Sequence, residues 1–247
     1  TPPGAPSSTM RSLTDISPAV TITSLPFTIS TPGVYTVSEN LGSSSENGIT
    51  VLASNVTIDL NGYSIGGSPG TQQGILVEDN RTNVVIRNGT IRNWGSAGIS
   101  APNCASLRID RIVVEGCGGP GIIVSGGTLT DVSCTKNNGY GIRCVESAQA
   151  SGGISITKSS ECSITQNGGG GLYVESGCSV TCDGADISRN TGNGVDIVSV
   201  STSSVGRFLM GGTTSRLNTG DGIHLNVTHD GSGSSIRIDD ADCDGNG

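Results

Sequence analysis

Hydrophobic residues in this chain come in alternating pairs and triples rather than in long runs. Ile49-Thr50-Val51, Val56-Thr57-Ile58, Ile75-Leu76-Val77 and Val84-Val85-Ile86 are typical, each closed off by Gly or Asn. Alternation this short cannot fill one side of a helix, and it predicts very short strands joined by tight corners. The pieces also recur. A glycine followed by an aliphatic residue stands at positions 48, 74, 98, 121, 141, 171, 194 and 222, with gaps of 26, 24, 23, 20, 30, 23 and 28. A repeat of about 25 residues with variable insertions predicts a solenoid. Because hairpin spacing is missing, each strand must pair with its equivalent one coil away.

Counting from each aliphatic residue fixes which side chains face inward. Eight positions before it lie Ile91, Val114, Cys134, Ile164, Ile187 and Ser215, and two positions after it lie Ala101, Val124, Cys144, Val174, Ile197 and Leu225. All but Ser215 suit a buried column, so the surrounding Gly, Ser and Thr-rich stretch 199–214 is expected to be loosened or bulged. Five positions before the aliphatic residue comes a corner, occupied by Trp94, Cys117, Asn137, Asn167, Asn190 and Asn218. The four asparagines are expected to stack as a ladder. On this reading asparagine tolerates the left-handed corner, and the glycines that follow supply positive φ.

The ends differ from the body. Residues 1–13 are Pro-rich and read as a tail or linker. Residues 14–40 read as two alternating strands around the Pro32-Gly33 turn that cap the solenoid, which then occupies 41–247. Asn246 restarts the corner phrase just before the sequence ends, so we expect a truncated last coil, with self-association through its uncapped edge as the other outcome.

Composition narrows the partners. The formal charge of -8 and pI near 4.6 argue against nucleic acid. No apolar run approaches the roughly 18 residues of a membrane span, so no membrane insertion is expected. Eight cysteines without metal-ligand spacing fit an exported, disulfide-bearing protein, although buried free cysteine is also an ordinary small hydrophobe.

The opening Ser24-Leu25-Pro26-Phe27-Thr28-Ile29-Ser30-Thr31-Pro32-Gly33-Val34-Tyr35-Thr36-Val37, with Asn47-Gly48-Ile49-Thr50-Val51 and Asn55-Val56-Thr57-Ile58-Asp59-Leu60-Asn61-Gly62, resembles the pectin-lyase-like superfold. It looks closest to exported bacterial parallel beta-helix repeat proteins. The resemblance implies an all-β, right-handed parallel beta-helix solenoid of about eight coils; the handedness comes from the resemblance alone. It leaves activity open, because this scaffold carries lyases, hydrolases, epimerases, tailspikes and adhesins. Of the polygalacturonase-like signatures only the paired aspartates, as Asp239-Asp240, are present, without their Asn-Thr-Asp, Gly-His-Gly and Arg-Ile-Lys companions, and the Asp-Pro-His-Glu stretch of alginate epimerases is absent.

Three constellations carry candidate chemistry. Arg81, Arg87, Arg92, Arg108 and Arg111 form a basic stretch, and guanidinium forks suit the carboxylates of an acidic glycan or a lyase site. His224 should project from the wall with Asp196 in the same position one coil earlier, an acid–base candidate against the plainer reading of a surface pair. Asp239, Asp240 and Asp242 are candidate calcium ligands on a stretch that otherwise reads as a solvated acidic surface. Trp94 with Arg92, and Tyr140 and Tyr173 on the outer wall, are candidates for stacking on sugar rings. The resulting expectation is a secreted or cell-surface, non-catalytic module that binds glycan or serves structure and adhesion. A polysaccharide lyase, hydrolase or epimerase is the alternative, and a phage or virion fibre segment the second. No cofactor is expected beyond calcium.

Overall fold

A computed structural model describes residues 19–43, 45–147, 153–158, 161–175, 177–199, 207–227, 235–239 and 241–247. Among them all regular structure is strand, wound into a solenoid of about 8 turns with about 24 residues per turn. One face is a nine-stranded sheet that begins with Phe27–Ile29, Ile49–Val51, Ile75–Val77 and Ile99–Ala101. It continues through Ile122–Val124, Tyr140–Cys144, Gly170–Val174 and Val195–Ser199 to Ile223–Val227. Its pairs are parallel, for example Ile99 with Ile122 and Ile142 with Leu172. A second face starts at Val20–Ile22 and Gly33–Val37 and runs to Arg207–Gly211 and Ser235–Asp239. A third, narrower line passes through Leu41–Gly42, Ser64–Gly66, Ser133–Thr135 and Ser163–Thr165. The strands Thr82–Arg92 and Ala105–Glu115 serve both of these faces, pairing with each other along most of their length. Each bends at a left-handed residue, Asn88 at φ 59° and Arg111 at φ 51°.

The segment expected as a capping pair of strands is built differently. Val20–Ile22 and Gly33–Val37 pair in parallel, with Val20 opposite Tyr35, and Phe27–Ile29 joins the other sheet against Ile49–Val51. Between the first two strands the chain has gone once around the coil, so they point the same way and form rungs rather than a hairpin.

The first column is buried throughout, Ser215 included. Ser215 Oγ donates to the Gly222 carbonyl at 2.7 Å, which satisfies its polarity inside the wall. The expected loosening therefore does not extend to Ser215, and residues 200–206 lie outside the described chain. In the second column only Leu225 is exposed, on the last rung of its sheet.

The corner asparagines stack. Asn137 Nδ2 donates to Asn167 Oδ1, Asn167 Nδ2 to Asn190 Oδ1 and Asn190 Nδ2 to Asn218 Oδ1, each at 3.0 Å, and Asn218 Nδ2 reaches Asn246 Oδ1 at 3.1 Å. The second proton of each amide goes to the carbonyl of an inward residue one coil back, Val114, Cys134, Ile164 and Ile187 in turn. Each Oδ1 from Asn167 to Asn246 also accepts the backbone N–H of the preceding asparagine.

The backbone conformation at this corner differs from the expectation. Left-handed φ belongs to the residue before each asparagine, Lys136, Gln166, Arg189 and Leu217, and not to the asparagine itself. Nor do the recurring glycines supply positive φ. A Cβ at Gly121, Gly141, Gly194 or Gly222 would stand 2.6 to 2.8 Å from the Nδ2 of the ladder asparagine, closer than atoms can pack. Those glycines are present because the ladder needs the space.

Candidate functional site

Parallel pairing on the nine-stranded sheet puts Arg143, Tyr173, Asp196 and His224 in one outward row, each opposite the next. They all follow the coil's aliphatic residue by one position, so the alternation that buries the aliphatic residue turns them outward. Asp196 holds the row together. Its Oδ1 lies 2.7 Å from His224 Nδ1, and its Oδ2 accepts the Tyr140 hydroxyl at 3.0 Å. Tyr140 spans two coils to reach it, passing over Gly170. Gly170 adopts φ +134°, and a Cβ there would meet the Tyr140 ring at 2.7 Å, so only glycine lets the ring through.

The surroundings are polar and aromatic at once. The rings of Tyr140 and Tyr173 lie 4.9 Å apart at 41°. Arg143 places its guanidinium 5.8 Å from the centre of the Tyr173 ring and forms an ion pair with Glu175, its Nε 3.0 Å from Oε1. Asp196 is buried, its residue 9% exposed, while the His224 side chain is 40% exposed. Hydrogen bonding to Asp196 raises the His224 pKa above its ordinary 6.5, partly opposed by desolvation. Burial, then the hydrogen bond to Asp196, pushes the Tyr140 hydroxyl up to about 12, so it remains a donor near neutral pH.

The arginines lie on the second and third faces. Arg87 pairs with Asp59 at 2.9 Å, while Arg108 and Arg111 share Asp110 Oδ2 at 4.0 and 3.2 Å. In register, Asp110 faces Arg87 and Ile112 faces Gly89, which sets Arg111 beside Asn88 and places the three arginines on two adjacent strands. Arg108 and Arg111 have side chains 60% and 61% exposed over a carboxylate only 14% exposed. Burial alone would raise the Asp59 pKa, but hydrogen bonds from Asn61 N–H and the Asn88 amide, with Arg87, bring it below its ordinary value. Arg92 is exposed and paired in register with Glu115.

The chain matches no known protein family, no curated protein and no solved structure. Its chemistry is therefore read from its own geometry.

Other candidates fare differently. Trp94 is 1% exposed and offers no face to a sugar. Its indole fills the space above Gly48, Gly67 and Gly74, where a Cβ would approach the ring to 2.6–2.8 Å, and Nε1 donates to the Ile65 carbonyl at 3.4 Å. It thus occupies the ladder column and points a donor at the same carbonyl position as the asparagines. Of the C-terminal acids, Asp239 pairs with Arg237 at 2.5 Å and Asp242 pairs with Arg216, while Asp240 lies outside the described residues. Among the described residues no group of three or more His, Cys, Asp or Glu side chains gathers to hold a metal. The expected disulfide framework is not formed by Cys104, Cys117, Cys134, Cys144, Cys162 or Cys182, which are buried free thiols, nor by Cys243, an exposed one. No helix among the described residues is long and apolar enough to cross a membrane.

Sequence reasoning addressed Asp196 to His224 and placed both tyrosines on the wall, but it did not find Arg143, Glu175 or Gly170. Arg143 was legible, because it follows Ile142 as Tyr173 follows Leu172. Gly170 gave no signal within its run of four glycines, since what marks it is a tyrosine from the preceding coil.

Proposed function

We propose that this protein is a secreted or cell-surface solenoid that binds an acidic glycan without turning it over at that site. The observation that carries the reading is the cluster of Arg87, Arg108 and Arg111 on two adjacent strands, with two highly exposed guanidinium groups sharing one largely covered carboxylate oxygen. Guanidinium has five N–H donors in a planar fork, so most of the donors of Arg108 and Arg111 remain available to carboxylate or sulfate groups of a chain lying across the coils. In a protein with a formal charge of -8, such a patch localises attraction for anions on one wall. The resemblance to exported parallel beta-helix repeat proteins supports the location. The incomplete polygalacturonase-like signature and the missing alginate-epimerase stretch weigh against those two cleaving activities.

Retention on immobilised pectate, alginate and heparin tests this reading. The double variant Arg108→Gln with Arg111→Gln should bind at least about tenfold more weakly, since each lost charged hydrogen bond is worth about 1.5–3 kcal/mol. Binding should also weaken as salt rises. Arg237→Gln, far along the solenoid, should leave retention unchanged. Unaltered retention of the double variant, or no retention of the wild type on any of these glycans, would reject the assignment.

A further inference from the structure

The row on the nine-stranded sheet has an organisation that a surface ion pair does not require. Arg237 with Asp239, an ordinary pair, leaves side chains 70% and 49% exposed. Asp196 has a side chain 13% exposed, as covered as Asp110 at 14%, and differs in being bonded to His224 on one oxygen and to Tyr140 on the other. Two anchors keep the carboxylate from rotating, and one of them depends on a bare Gly170. With Nδ1 engaged at 2.7 Å, neutral His224 carries its proton on Nδ1 and leaves the Nε2 lone pair available. A base oriented by a third group is the arrangement that activates a nucleophile. Two strands from His224, directly beside Asp196, stands Tyr173, packed against Tyr140, so an aromatic wall able to support a sugar ring lies across Asp196 from the base.

We infer that Asp196 and His224 form a general-base dyad that hydrolyses an acyl ester on a saccharide held against Tyr173 and Tyr140. The inference is independent of the arginine patch, which lies on other faces. In the reaction Nε2 takes a proton from water as the water oxygen bonds to the ester carbonyl carbon. The tetrahedral adduct then expels the sugar alkoxide by breaking the bond between carbonyl carbon and alkoxy oxygen. The alkoxide receives the proton from Nε2, giving a free sugar hydroxyl and a carboxylic acid. Asp196 stays ionised and stabilises the imidazolium, while Tyr140 is a positioning residue that acts through Asp196. Among the described residues the charged groups facing His224 are Asp196 on the neighbouring strand and Asp221 on the preceding corner, both of which favour the imidazolium.

The test uses the whole chain with 4-nitrophenyl acetate and with a chemically acetylated, otherwise neutral polysaccharide, reading nitrophenolate and acetate. Wild type should hydrolyse the activated ester faster than free imidazole at equal concentration and should release acetate from the glycan. Its kcat/KM should rise with pH through the raised pKa of His224. His224→Gln should lose about 100-fold or more of both activities, within the range of general-base contributions. Asp196→Asn should lose much of the rate and move the pH midpoint down, which loss of structure would not produce, and Tyr140→Phe should lose a smaller part of the rate without moving the midpoint down. Far-ultraviolet circular dichroism, which reads every coil, establishes that each variant is folded. Turnover no faster than imidazole, turnover unchanged in His224→Gln, or cleavage of the small ester without acetate release from the glycan would each overturn the inference.

Discussion

From Asn137 onward the asparagine at each corner joins the coil behind it to the coil ahead. The amide has two donors and two acceptor lone pairs, and at Asn167, Asn190 and Asn218 all four are used, between one coil behind and one coil ahead. Aspartate lacks the donors, and serine is too short to span both coils. Asn190→Ala removes the partners of Asn167 N–H, Asn167 Nδ2 and the Ile164 carbonyl in a buried setting. It should cost roughly 1–3 kcal/mol or more in denaturant unfolding. Asn226→Ala, on an exposed side chain, should change stability by under about 0.5 kcal/mol. Equal losses at the two sites would show the ladder to be incidental. The ladder was legible in sequence because it keeps strict register, but its backbone conformation was not. Which of two neighbouring residues turns left-handed is decided by hydrogen bonds to coils a full repeat away. Trp94 misled for a related reason: a large aromatic at a corner looks like a surface platform until the glycines of the two preceding coils are seen to make room for it.

Single strands here are too short to be stable alone, and each is held by the rungs on either side. The contact between Val195–Ser199 and Ile223–Val227 illustrates this, because Asp196 and His224 are directly opposed in it. The hydrogen bond to Asp196 raises the His224 pKa in the folded protein above the unfolded 6.5. A raised folded pKa means that the folded state binds the proton more tightly. Its stabilising contribution is therefore complete below about pH 6.5 and disappears as pH climbs through the folded value. Thermal unfolding followed between pH 5.5 and 9 should show this decline in wild type, and His224→Gln should flatten that part of the profile. An identical decline in the variant would assign it to other groups. The facing of these two residues could be read from the repeat, since both follow the coil's aliphatic position. The reach of Tyr140 across a whole coil to the same carboxylate could not, because periodicity gives rows of neighbours and not the length or tilt of a side chain.

At the scale of the whole molecule the period was the most legible property, because every coil repeats the same inward columns and a misplaced count would bury polar residues. The direction of the first strands was less legible: alternation alone does not say whether two runs near a turn fold back or go around. The circuit they make has an energetic consequence. Each coil touches only those beside it, so stability is approximately a sum of local and nearest-neighbour terms, and damage should stay local. Trp94, the single tryptophan, is buried among Gly48, Gly67 and Gly74 and reports on the early coils alone. Asn190 lies in the later ones. In Asn190→Ala, far-ultraviolet circular dichroism should therefore acquire an additional phase at lower denaturant, as the later coils separate first. Trp94 fluorescence should keep its wild-type midpoint. A single transition shifted equally in both signals would mean instead that the solenoid unfolds as one cooperative body, and that a missing rung is felt along its entire length.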